Sequence, residues 1–216
     1  MQLSLTNPSA EVYIPDVSTG CADLSRTPHL GICAHQDDIE MSVLHGVLEC
    51  FLNDDFHFTA VVVTDGAGSA RAGRYASYTD EQMRIVRKIE QKKAAILGEY
   101  QAAIMLDYSS AVVKNCGNRS PVEDIQQIIK ATCPNMIYTH CPTDRHDSHV
   151  AVMLRVIEAI KELPPDQKPQ RVLGVEGWRS LECVLAEDRI SLDVSECENM
   201  AAALAGVFDS QISGGK

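Results

Sequence analysis

The sequence predicts an α/β domain of three layers built on a mainly parallel sheet, and three observations carry that prediction. Short apolar runs, of which residues 58–64 (FTAVVVT) are the clearest, are continuous rather than alternating, as in strands buried on both faces. Stretches of helical spacing separate these runs. Polar loops rich in His and Asp follow the runs, at the carboxyl edge where open α/β sheets bind their ligands.

Taken in order, residues 1–29 mix Pro, Ser, Thr and Asp with scattered apolar side chains and are expected as an arm over a single domain, residues 30–216. Residues 30–34 form the first strand. Residues 41–52, apolar at 41, 43, 44, 47, 48, 51 and 52, are expected as a helix. The second strand is 58–64, and the Gly-, Ala- and Arg-rich stretch 65–77 is a loop. Thr79 followed by Asp80 and Glu81 marks the start of a helix that Gly98 ends. Residues 103–106 are the third strand. Ser120-Pro121-Val122-Glu123 gives a cap, a first-turn proline and an acid at N3. Residues 136–139 are the fourth strand and 140–149 a loop, before a helix over 150–163 that Pro164-Pro165 stops. Arg171–Val175 is the fifth strand. A strand pair is expected after Gly177-Trp178-Arg179, then a closing helix near 196–208. Strands alternating with helices in this way form a Rossmann-like domain.

The 216 residues suffice for one sizeable core. A net charge of -11 argues against a nucleic-acid partner, which would need a basic patch. The eight cysteines include no C-x-x-C pair, so no cysteine metal cluster is expected; Cys33, Cys50 and Cys183 sit in apolar runs and read as buried. The first twenty residues lack a secretory apolar core, and a reducing cytoplasm is the expected compartment. No stretch approaches the ~18 apolar residues of a membrane helix.

Four polar loops fall at the carboxyl edge of the strands: 35–40, 65–77, 107–110 and 140–149. A catalytic zinc takes three N or O ligands and leaves one position open. The first loop offers His35 and Asp38. The last offers His140, Asp144, His146, Asp147 and His149, and the spacing of His146 and His149 allows both rings to enter one pocket. Two histidines and a carboxylate leave such an ion positive, which favours ionised water near neutral pH. Asp37, not needed as a ligand, is placed to carry the proton, and a histidine of the last loop is the natural oxyanion donor.

These residues resemble the motifs of the PIG-L (LmbE-like) zinc-dependent N-acetylglucosamine deacetylases. The family's first motif stands here as Ala34-His35-Gln36-Asp37-Asp38-Ile39-Glu40, and its His-x-x-His as His146-Asp147-Ser148-His149. Thr64-Asp65-Gly66, the Arg87-Lys88-Ile89-Glu90 helix and Ser210-Gln211 are also similar, so the likeness runs from about residue 30 onward. The resemblance implies that His35, Asp38 and His149 bind Zn2+, or another divalent metal such as Fe2+. It further implies that Asp37 is the general base and that protonated His146 stabilises the oxyanion. A small-molecule amino sugar would lose its N-acetyl group; homo-oligomerisation stays open. Two departures stand out. Ser148 replaces the Asp that orients the oxyanion histidine in many members, so that task passes to Asp144 or Asp147, or is weakened. The chain ends at Gly214-Gly215-Lys216 where similar sequences run on, so a shortened C-terminus is expected.

Other residues have competing readings. Arg87 is a candidate for a substrate hydroxyl or phosphate, against a salt bridge to Glu90. Arg71 and Arg74 are candidate pocket-rim groups. Trp178 is either a sugar-stacking ring or a packing residue. Glu40 is a ligand-orienting group or a first-turn acid. His140 is expected to fix its loop, and His29, His45 and His57 to be structural or surface residues. Rival functions are nucleotide binding through Asp65-Gly66-Ala67-Gly68, which does not fit G-x-G-x-x-G, and metal binding without turnover.

Overall fold

The computed structural model describes residues 3–15 and 23–215. Six strands form one sheet: β1 (Glu11–Tyr13), β2 (His29–Cys33), β3 (Thr59–Thr64), β4 (Ala102–Tyr108), β5 (Met136–His140) and β6 (Arg171–Val175). Their order is β1-β4-β3-β2-β5-β6. All neighbours run parallel except β1, which pairs antiparallel with β4 through Glu11 and Met105. A strand thus comes from the segment expected only as an arm. Cys21 lies outside the described residues.

Helices cover both faces. On one, α5 (Ser120–Thr132) and α6 (Asp147–Glu162) bury Val122, Ile125, Ile129, Val152 and Val156 against Leu30, Ile32, Val61 and Ile104 of the sheet. On the other, α2 (Leu44–Cys50), α3 (Asp80–Leu97) and α7 (Glu198–Gly206) pack Val47, Ala94, Ala95 and Leu204 onto Ala60, Val62 and Met105. The central strands β3 and β4 are buried along their whole length, which is why apolar side chains at residues 60–63 and 102–106 follow one another without alternation. Thr79 and Gln82 close the capping box of α3.

Several boundaries differ from the sequence expectation. The helix over 41–52 is two short ones, α1 (Asp38–Ser42) and α2, divided at Val43, whose ψ of 17° leaves the helical range. Gly46 lets α2 sit close to the sheet: a Cβ there would lie 2.7 Å from the Tyr138 ring. Ser120 is the first residue of α5 rather than its cap, which is Arg119. A further short helix, α4 (Ser110–Lys114), caps itself through Ser109. The predicted strand pair after Arg179 is absent. Ser180 and Leu181 have positive φ, and Arg189 folds back to donate to the Val184 carbonyl, so that segment bonds to itself. Cys183 is exposed there, contrary to expectation, while Cys33 and Cys50 are buried. The closing helix is likewise two, α7 and α8 (Asp209–Ser213). No helix of the described residues is long and apolar enough to cross a membrane.

The chain runs β2, β3, β4 to one side of β2 and then returns with β5 to the other. The carboxyl ends of β2 and β5 are therefore a topological switch point, where a crevice opens in folds of this class.

Candidate active site

The two histidine loops meet at that switch point. His140, the last residue of β5, accepts the Ala34 N–H into Nε2 at 2.8 Å, tying the exit of β2 to the end of β5. Burial pushes its pKa down to about 3, so the ring is neutral and able to accept. His140 fixes the loop, as the sequence suggested.

Beyond Ala34, Asp38 turns its carboxylate back to take the His35 N–H into Oδ2 at 2.7 Å. The same oxygen lies 3.3 Å from His35 Nδ1 and 3.3 Å from His149 Nε2, and those two nitrogens are 3.2 Å apart. Three donor atoms from three side chains thus form a nearly equilateral triangle. In a tetrahedral zinc site with bonds of about 2.0–2.1 Å, two ligand atoms are separated by about 3.3–3.4 Å. The triangle has that edge, and its N, N, O donor set suits a divalent ion. Burial works against the charge of Asp38, but the bonds from His149 and His35 hold its carboxyl well below the usual range. For His149, burial is outweighed by Asp38 and Asp144, and its pKa is raised. The lone pair that holds this proton is the one a metal would use.

A second group, His140, Asp144 and His149, also converges. Its atoms are already committed: His149 Nδ1 bonds Asp144 Oδ2 at 2.9 Å, and His140 Nε2 is filled by Ala34. It is a frame for the first group, with the His140 and His149 rings stacked at 3.9 Å.

α6 positions the last two histidines. His146 is its N-cap, and His146 Nδ1 accepts the Ser148 N–H at 3.3 Å. Asp144 takes the His146 backbone N–H at 2.8 Å with its other oxygen. The His146 ring lies 4.8 Å from that of His35 and 4.6 Å from that of His149. Burial, then the two neighbouring imidazoles, lower its pKa. With Nδ1 as acceptor, the neutral ring carries its proton on Nε2 and is a donor without being charged. At position 148 it is therefore the backbone that meets the histidine. Of the two expected orienting acids, Asp144 does the bonding, whereas Asp147 is exposed in the first turn of α6.

A cavity of about 470 Å³ opens over the triangle, lined among others by His35, Asp65, Lys114, His146, His149 and Trp178. Gln211, of the Ser210-Gln211 pair, also faces it, as does Lys114, which the sequence did not single out and which comes from the unexpected α4. Trp178 is 55% exposed, so it serves the cavity wall rather than the core. Asp37 is buried beside Asp38, 3.5 Å from Arg87 Nη2, and is not one of the lining residues.

The arginines expected to meet substrate are placed differently. Arg71 donates to the Ala67 carbonyl and to Asp80, and Arg74 to Tyr75 and Asp209; neither lines the cavity. Each is close to an acid that the sequence places far away or on another element, which neutralises it locally. Arg87 does reach the cavity, but it is buried, and its terminal nitrogens point to Glu90, Ser210, Asp37 and the Gln36 carbonyl. Glu40 is buried, accepting from Gln91 and Tyr100 at 2.8 and 2.9 Å. In loop 65–77 no α-helix starts directly after Gly66 and Gly68; α3 begins only at Asp80.

The sequence model of one family, PIG-L, described as GlcNAc-PI de-N-acetylase, matches residues 30–160. Among solved structures the chain is similar to the N,N'-diacetylchitobiose deacetylase of Pyrococcus horikoshii, at 17% identity over 85% of this chain and 70% of that one, TM-score 0.65. It is similar to the A40926 pseudoaglycone deacetylase Dbv21, at 18% identity over 87% and 84%, TM-score 0.64. It is equally similar to GalB, the 4-carboxy-2-hydroxymuconate hydratase of Pseudomonas putida KT2440, at 16% identity over 87% and 81%, TM-score 0.65. At such identities the likeness is one of fold, and a hydratase beside two deacetylases shows that this fold does not select the reaction. No curated protein matches the chain.

Proposed function

Since the chain belongs to the PIG-L family, we propose that it hydrolyses the N-acetyl amide of an N-acetylglucosamine-type amino sugar or conjugate with the help of a divalent metal, in the first place zinc. The observation that carries this proposal is the triangle of His35 Nδ1, Asp38 Oδ2 and His149 Nε2, with edges of 3.2–3.3 Å, whose two histidines line the cavity. These three residues would hold the ion. When bound, it supplies Lewis acidity to the amide carbonyl and lowers the pKa of water toward neutrality.

The rest of the chemistry belongs to the chain. Asp37, beside Asp38, takes the proton of the attacking water and returns it to the leaving nitrogen. His146 donates Nε2–H to the oxyanion as it develops. Asp144 keeps His149 in the tautomer whose Nε2 faces Asp38, and the backbone of His146 in register with it. The amide bond breaks to give acetate and the free amine.

One observation favours a second reading, ligand binding without turnover: Asp37 is buried and outside the cavity lining. A single experiment separates the two. Protein loaded with zinc, and separately with Fe2+, is assayed for acetate release from a panel of N-acetylglucosaminides, beside Asp37→Asn. Acetate from the wild type and none from Asp37→Asn, at equal metal content, supports hydrolysis. Stoichiometric metal with no acetate from any substrate supports binding alone.

A further inference from the structure

Asp37 has φ 97°, a left-handed conformation in which the Cβ of a non-glycine residue is crowded. Such strain persists where neighbours over-determine it. Arg87 is such a neighbour. Its Nη2 donates to the Gln36 carbonyl, just before the strained residue, and lies 3.5 Å from the Asp37 carboxylate. Its Nη1 donates to Glu90 Oε2 at 3.1 Å. Glu90 in turn accepts both donors of Ser210, the backbone N–H into Oε1 at 2.7 Å and the hydroxyl into Oε2 at 2.8 Å. Asp37, Arg87, Glu90 and Ser210 are all buried. The Phe208 ring lies 5.7 Å from the guanidinium, and Asp209 is pinned from outside by the Tyr75 hydroxyl at 2.6 Å.

The geometry points to Ser210 and Glu90 as positioning residues for Asp37. The last helix, α8, holds Glu90, Glu90 aims Arg87, and Arg87 clamps both the backbone and the carboxylate of the strained acid. A carboxylate on each side of one buried guanidinium leaves it little freedom to turn, since swinging away would strand a charge out of water. The C-terminal helix therefore completes a site whose other parts lie at the ends of β2 and β5. The effect on rate rests on the proposed amide hydrolysis; the effect on structure does not.

Glu90→Gln and Ser210→Ala, made in the full chain, test both parts. Crystal structures of the variants are expected to show Arg87 withdrawn from the Gln36 carbonyl and Asp37 out of the left-handed region. Arg87 and Asp37 unmoved in both would overturn the inference, whatever the protein's activity. In kinetics, Glu90→Gln is expected to lower kcat about tenfold, the size of one charge-assisted hydrogen bond, with KM and metal content unchanged. In an Asp37→Asn background it should add less than about twofold. Equal losses in both backgrounds, or a loss confined to KM, would make Glu90 a merely structural residue and overturn its role. Wild-type protein that releases no acetate would sink the proposed activity alone, and the crystal structures would still decide the clamp. Should Ser210→Ala fail to fold, Glu90→Gln carries both measurements.

Discussion

Asp144 holds His149 by a 2.9 Å bond from Nδ1–H to Oδ2, and its second oxygen takes the His146 backbone N–H at 2.8 Å. One buried carboxylate thus sets the direction of the His149 ring and the start of the helix that carries it. Removing the partner of a ligand histidine weakens metal binding roughly 10–100-fold. Asp144→Ala is expected to lose affinity in that range in a competition titration against a chromophoric chelator. Unchanged affinity would mean that the bond does not support a ligand.

The acceptor bond at His146 Nδ1 makes the neutral ring an Nε2–H donor. His146→Ala is expected to lower kcat by roughly 10²–10³, the loss found for a single oxyanion donor. His146→Gln, which keeps a neutral N–H, should recover part of it. A glutamine variant no faster than the alanine one would show that positive charge is required.

Burial pushes the Glu40 carboxyl up to about 7, against the bonds from Gln91 and Tyr100 that oppose the rise. Between the unfolded value of 4.5 and about 7, the folded protein holds a proton that the unfolded chain has lost. Stability from this group is therefore full below pH 4.5 and is lost as pH rises through 7, by about 3 kcal/mol at most. Glu40→Gln should accordingly raise the melting temperature relative to wild type more at pH 8 than at pH 5. A larger benefit at pH 5 would contradict the assignment.

Gly46 faces the Tyr138 ring, whose hydroxyl bonds His29 Nδ1 and His45 Nδ1, each at 2.9 Å. The ring has little freedom to yield. Gly46→Ala gains helix propensity of about 1 kcal/mol but overpacks the core at a cost of about 1–3 kcal/mol. The net expectation is a lower denaturant midpoint with unchanged slope. A stabilised variant would show that the ring can move.

Much of the molecule was legible in the sequence because it rests on local or periodic signals. Residues 59–64 and 102–108 are buried on both faces, so apolar side chains dominate both runs, with polar ones only toward their ends. His35, Asp38, His146 and His149 could be placed in one pocket because strands in an α/β sheet present their following loops at one edge. What only the tertiary structure decided are pairings between distant elements. That His140 accepts from Ala34, that Asp144 serves both later histidines, and that Arg74 is held by Asp209 leave no trace in spacing, since each depends on which side chains the sheet order brings within about 3 Å. The division of the 41–52 helix at Val43 and the absence of the strand pair after Arg179 belong to the same class. The link from Ser210 to Asp37 does so most clearly: 173 positions separate residue 37 from residue 210, and only the return of the last helix brings both onto Arg87.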